Sequence, residues 1–511
     1  MEHIFLVGNW PSFFVVLAVV YILTLTYRAH KNPISSVPGP WYSKYTNIVN
    51  KYHFVRGQRP RYVHGLHLKY GPIVRITPTE VDVSCISSAR EIHRIASPYR
   101  KSPWYRLLTR KDGENMFSTT DPEYHRRHRR LLSSPLSDQN LRNVMEPLVR
   151  SRVQLAITRM GAEARSARGV MDICKWFFFM ATDIIGELSF GDSFDMLEVG
   201  ERNQYVHDLE KVAKIGGIRA TFPVTMAVAS VLPLGIFREV VASTDRIMSY
   251  ATESVERYRA SLLRDPENPR PSLFMKLFAA GERGEKGAKS LQGGEECLSD
   301  REIRNDAQAF IVAGSDTTAN TLTYLVWAVL RHPEVKERLV AELQALSASE
   351  EEDGSEELSD THLRDLPYLH QVINETLRLY PVVPSGLPRI VPESGSTLAG
   401  YFLPGGATVT TQLYTIHKDP DVFEDPEVFN PSRWENPTRE MRDAFMPFSA
   451  GSRNCVGLHL AKMELRLATA LFFDTFPGAK VSTKEDMSDE DMEEALYFLL
   501  SPKGKRCLVE V

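Results

Sequence analysis

One stretch dominates the chain. From Asp300 to Arg331 apolar residues recur at helical spacing with no breaker, and His332-Pro333 ends the run. Ser299 or Asp300 supplies a plausible N-cap. A helix of about 30 residues spans on the order of 45 Å. That length crosses a whole domain, so the predicted helix is a central element that the rest must pack around. At mid-length it carries Ala313-Gly314-Ser315-Asp316-Thr317-Thr318. Gly, Ser, Asp and Thr are poor formers of a helix interior, and stability alone does not explain them there. Thr317 lies four residues after Ala313, so its hydroxyl can bond the Ala313 carbonyl and locally open the helix.

The other strong feature is Phe448-Ser449-Ala450-Gly451-Ser452-Arg453-Asn454-Cys455-Val456-Gly457, an F-x-x-G-x-R-x-C-x-G pattern. A lone cysteine in a loop is usually an inert buried thiol. A thiolate in a Gly-punctuated loop with an Arg two residues before it suits axial ligation of haem iron, to which anionic sulfur donates electron density. The glycines allow a tight turn that aims N–H groups at the sulfur. Arg453 can pair with a haem carboxylate, and Phe448 can shield the sulfur side of the ring. This decapeptide resembles the haem-binding signature of the cytochrome P-450 monooxygenases.

Further segments share the resemblance, in the family's order. Glu375-Thr376-Leu377-Arg378 sits on a predicted helix closed by Pro381. Its Glu and Arg share a face, which alone is weak evidence. Asn430-Pro431-Ser432-Arg433-Trp434 resembles the family segment that brings a second Arg to that Glu, implying a Glu375–Arg378–Arg433 triad beneath the haem. The Ala313–Thr318 run resembles the family's A-G-x-D-T, which implies that Asp316 and Thr317 relay protons to dioxygen opposite Cys455. His125-Arg126-Arg127-His128-Arg129 resembles the W-x-x-x-R helix, with His125 in place of Trp. His125, Arg129 and Arg389 are thereby expected at the haem propionates, with Arg453. Arg126, Arg127 and Arg130 form a basic strip. It reads as a solvated face or as a docking patch for an acidic electron-donor flavoprotein.

The 511 residues exceed one typical domain, yet residues from about 125 to 457 must converge on one cofactor, so a single large domain is expected. The net charge of −4 gives no sign of nucleic-acid binding. Five scattered cysteines without C-x-x-C argue against zinc and against a disulfide framework, and fit a reducing, cytosol-facing compartment. The chain is mainly helical. Ile73 to Ile76, Val81 to Val83 and Thr408 to Thr410 read as strands of a small sheet. The resemblance implies the cytochrome P-450 fold, a helical triangular prism with a small β-sheet region. Ala461 to Phe476 reads as the helix after the cysteine loop. Segment 281–297 reads as an exposed loop, and Ser347 to Ser359 as an acidic loop between helices.

Phe13 to Tyr27 is almost wholly apolar, and Ile4 to Val7 extends it past an interruption. One transmembrane helix is feasible. Arg28, His30 and Lys31 predict a cytosolic body. We therefore expect a membrane anchor over 1–31, a Pro-rich linker over 32–50 and one haem-thiolate catalytic domain over 51–511. The resemblance to microsomal members implies the endoplasmic reticulum membrane, single-pass, with NADPH electrons relayed by a reductase.

Apolar segments implied to line the pocket are Ser102 to Phe117, Val212 to Leu234, Ala309 to Thr317, Val382 to Leu387 and Leu496 to Phe498. They favour an apolar small-molecule substrate. Pro384–Arg389 and Pro38–Trp41 resemble filamentous-fungal members, which often oxidise terpenoid, polyketide or alkaloid intermediates of secondary metabolism. The expected reaction is hydroxylation or epoxidation, in one or several steps. A haem-thiolate isomerase or dehydratase without external electrons, and a non-catalytic haem sensor or carrier, are the rivals. An intact A-G-x-D-T weighs against the first.

Overall fold

The computed structural model describes residues 10–109, 113–230, 235–265, 272–274, 298–352 and 358–511. The 281–297 segment lies outside them, as do residues 1–9. The principal helices are α1 (Trp10–Lys31), α2 (Pro122–Ser133), α3 (Glu146–Ser166), α4 (Ile173–Phe190), α5 (Gln204–Thr221), α6 (Gly235–Arg264), α7 (Asp300–Arg331), α8 (Pro367–Leu379) and α9 (Leu458–Thr475).

Helix α7 is the long element expected, and it is central. Its start is a full capping box: the Ser299 hydroxyl accepts the Glu302 N–H, and the Glu302 carboxylate accepts the Ser299 N–H at 2.8 Å. Ile303, Ala307, Ile311, Leu322, Leu325 and Val329 are buried along its length. Its main partner is α4, whose near-continuous apolar run Ile173, Trp176–Ala181, Ile184 and Ile185 is buried on all sides. Gly314 permits that contact. A Cβ there would stand 2.9 Å from Ile185 Cγ1, so the two backbones approach only because the side chain is missing. Helices α8 and α9 pack on the other side of α7.

A five-stranded sheet flanks this helical body. Its strands are β1 (Ile73–Thr77), β2 (Glu80–Val83), β3 (Arg100–Lys101), β4 (Arg389–Ile390) and β5 (Thr408–Thr410), in the order β1-β2-β5-β4-β3. The β2–β5 pair is parallel and the others are antiparallel. The β3–β4 register sets Lys101 opposite Arg389. This mostly helical architecture with small sheets is the fold class expected.

Helix α1 is exposed over its apolar length, and Phe13–Lys31 is long and apolar enough to cross a membrane. The chain after it does not hang free. Ile34 and Val37 are buried, and the buried Arg75 guanidinium donates to the carbonyls of Ser35, Val37 and Pro40.

One reading changes at Ser347 to Ser359. The helix that starts at Pro333 runs to Glu352, through residues expected in a loop. Ala348 and Glu350–Glu352 are good helix formers and carry the helix past Ser347 and Ser349. Residues 353–357 lie outside the described residues.

Candidate active site

A cavity of about 2180 Å³ lies between α7 and the cysteine loop. Thr317, Asp316 and Ala313 line one wall; Phe448, Arg453, Cys455 and Gly457 line the other; His125 and Arg129 of α2 reach its edge. Residues more than 300 positions apart in sequence thus meet at one space.

The cysteine loop is built from backbone constraints. Ser449 and Gly451 hold φ of +59° and +67°. At Gly451 a Cβ would fall 1.9 Å from the His93 carbonyl oxygen, so only glycine fits. The Cys455 N–H donates to the Phe448 carbonyl at 2.9 Å, closing the loop. Cys455 is open to the cavity but enclosed by the protein around it; this desolvation pushes its thiol up, and the Gly457 backbone N–H and the nearby Arg129 pull it back toward the thiolate. Arg129 is committed to this loop. It donates to the Asn454 carbonyl at 2.5 Å and to Asn454 Oδ1 at 2.6 Å. Arg129, expected at the haem propionates, here bonds the residue before the cysteine through both Nη groups.

Beside the loop stands a cluster of cations. Burial first, then Arg389, lowers the Arg453 guanidinium to about 10. Burial, then Arg453, Lys101, Arg129 and Arg389, lowers His125 to about 3. Arg389 Nε and Arg453 Nη1 are buried and have no hydrogen-bond partner among the described residues. Orphaned buried donors among like charges are costly, and a dianionic group would satisfy them. Lys101 belongs here too. Its ammonium donates to the Phe117 carbonyl and lies 4.4 Å over Tyr105 and 4.8 Å over Phe117. Sequence reading missed Lys101 because the β3–β4 register, not a motif, delivers it.

The Glu375 carboxylate is fully buried and saturated. Arg378 donates to it bidentately at 2.9 and 2.8 Å, Arg433 Nε at 3.0 Å, Trp434 Nε1 at 2.9 Å and the Asn430 N–H at 2.9 Å. Arg378 also holds the carbonyls of His417, Pro426 and Val428. The three charged residues come together, and Trp434 is a partner the motif did not announce.

On α7, Thr317 Oγ donates to the Ala313 carbonyl at 2.5 Å. The helix nevertheless stays α-helical through this point, so the bond forms without the opening expected of it. Asp316 turns toward α5. Burial, then Glu210, pushes its carboxyl up to about 6, while Arg202 and Lys214 oppose. Arg202 pairs with Glu210 at 3.1 Å. Glu464 on α9 also lines the cavity and was not singled out from sequence. Burial pushes it up to about 8, against a Thr318 hydroxyl contact, and its Oε2 has no partner. In the basic strip, Arg126 pairs with exposed Glu123, and Arg127 is drawn inward to Glu302. Arg127 is therefore not part of a free solvated face.

The cavity's apolar wall includes Phe117, Phe178, Phe222, Val382, Leu387 and Phe498. Trp104 lies 6.1 Å from Phe498 and Phe117 lies 6.3 Å from it. Residues 110–112 and 231–234, within two of the expected lining segments, lie outside the described residues.

The family model for cytochrome P450 matches residues 38–509. The cytochrome P450 monooxygenase tazI of Aspergillus terreus is 47% identical over 97% of this chain and 98% of its own length. The cytochrome P450 monooxygenase orf2 of Aspergillus niger is 41% identical over 98% and 99%. The cytochrome P450 monooxygenase stcB of Emericella nidulans is 34% identical over 94% and 89%. The chain belongs to the cytochrome P450 family. It is a haem-thiolate monooxygenase, and the unpaired cation cluster and cysteine loop fit the haem that this family binds.

Proposed function

We propose that Cys455 would ligate the haem iron through its thiolate and that Arg389, Arg453, Lys101 and His125 would hold the haem propionates. When bound, the haem supplies the dioxygen chemistry. The chain's own groups do the rest. The Gly457 N–H and Arg129 favour the anionic sulfur. Asp316, whose carboxyl titrates near neutrality, holds a proton that Thr317 passes into the cavity. The apolar wall excludes bulk water and seats an apolar small molecule. Glu375, Arg378 and Arg433 brace the floor of the site.

The reaction is NADPH- and reductase-dependent hydroxylation or epoxidation, in one or more steps, of a fungal secondary-metabolite intermediate. Residues 1–31 anchor the protein in the endoplasmic reticulum membrane, the 32–50 segment leads away from it, and the 51–511 body faces the cytosol. The reductase docks on the side of α2 that carries Arg126. The observation that carries this reading is that Cys455 and Thr317 line one cavity together with Arg453, whose buried Nη1 has no hydrogen-bond partner among the described residues. The test is the carbon monoxide spectrum of the dithionite-reduced protein. A red-shifted Soret band that Cys455→Ser abolishes supports the assignment; an unshifted band in the parent protein overturns it.

A further inference from the structure

The strip Glu114–Phe117 has no regular secondary structure, yet every residue in it is tied down. The Met116 N–H donates to Asp306 Oδ1 at 2.7 Å. The Glu114 carbonyl accepts from Asn305 Nδ2 and from the Tyr124 hydroxyl, each at 3.1 Å. Asn115 Oδ1 accepts the N–H groups of Phe117 and Ser118 at 3.0 and 2.9 Å. The Phe117 carbonyl accepts from the Lys101 ammonium. One side of the strip faces the cavity through Asn115, Met116 and Phe117. Its far end holds Lys101; burial, then Arg453 and Arg389, pushes its ammonium well below the usual value, and an anionic group beside it would restore the charge.

The fixed point is a buried hydrogen-bonded pair. Asp306 and His128 are both fully buried, and His128 Nδ1 meets the second oxygen of Asp306. The His128 ring stacks on Tyr124 at 3.8 Å, and its Nε2 lies 3.4 Å from Glu302. Two helices, α2 and α7, thus converge on one backbone amide of an irregular strip. A pair that only joined the helices would have no need to spend a carboxylate oxygen on Met116. Lys101 has no carboxylate partner among the described residues. Only a carbonyl and two ring faces set where its charge sits, and that carbonyl belongs to the strip.

We infer that Asp306 and His128 are positioning residues for the cofactor. They fix the Glu114–Phe117 strip, and the strip places the Lys101 charge at the anionic edge of the haem. A substrate pressing on Met116 or Phe117 is thereby felt at the propionates. The inference rests on the haem site proposed above, and its test separates the two.

The test is a double-mutant cycle in the full-length haem-loaded protein. Asp306→Leu removes both acceptors at similar volume, and Lys101→Met removes the charge and keeps the stem. The readouts are the rate of haem transfer to apomyoglobin and the substrate-free midpoint potential. Each single change is expected to speed haem loss and to move the potential in the same direction. The two are expected to be non-additive, the double variant falling short of the product of the singles by about tenfold in rate. Multiplicative effects, or an Asp306→Leu potential equal to the parent's, would overturn the inference. If Asp306→Leu does not fold, Asn305→Leu removes one of the two bonds to the Glu114 carbonyl and enters the same cycle. Hydrogen exchange on the unaltered protein gives a further reading: the Met116 amide should exchange as slowly as those of α7, and fast exchange counts against the inference. A parent lacking the red-shifted carbon monoxide band indicts the haem assignment instead.

Discussion

At the scale of single residues, two buried glutamates differ in their partners. The Glu375 carboxylate accepts from two guanidiniums, an indole N–H and a backbone amide. Removing it strands two buried cations, at a cost of about 3–5 kcal/mol. Glu375→Ala is expected to accumulate no haem-loaded protein, measured as the haem-to-protein absorbance ratio after purification. Glu464 is the converse case. Burial raises it from the ordinary value of 4.5 to about 8, so its neutral form is the one that folding favours. The stability it contributes is fully present below about 4.5 and is lost as pH rises through about 8. Glu464→Gln should leave the unfolding midpoint unchanged at pH 5. At pH 8.5 it should raise stability by roughly 2–4 kcal/mol, seen as a higher melting temperature.

At the scale of elements, legibility followed periodicity. Helix α7 was read to its observed bounds, because thirty-two residues of unbroken pattern end at a proline. The strand segments were short but bounded by turn residues. What escaped was anything set by register or by close approach. Lys101 reaches the site because β3 pairs with β4, and no local pattern announces that pairing. Trp434 and Glu464 join their clusters through packing between distant segments. The cysteine loop shows the same limit from the other side. Gly451 was legible as a turn glycine, but the His93 carbonyl that forbids a side chain there comes from a remote helix end. Gly451→Ala places a carbon against that carbonyl at a left-handed φ. The variant is expected to lose the thiolate Soret band before it loses its helical circular dichroism.

At the scale of the whole molecule, the anchor and the body are separable in physics. Helix α1 is exposed along its apolar length, whereas the body buries its own core around α7 and α4. Deleting residues 1–31 is expected to move the protein from the membrane pellet to the supernatant on fractionation, with the carbon monoxide spectrum intact. Loss of the spectrum would mean that α1 is part of the fold.

Periodicity marked the helices and the apolar lead segment, and the resemblance of the decapeptide and its companion motifs to the cytochrome P-450 signatures reached the haem-thiolate monooxygenase, since these signals are local in the chain. The orphaned guanidiniums, the bonds from Arg129 to Asn454 and the inward turn of Arg127 needed the folded chain. Each depends on which charges end up within a few ångströms of one another after water has been excluded, and linear order carries no record of that distance.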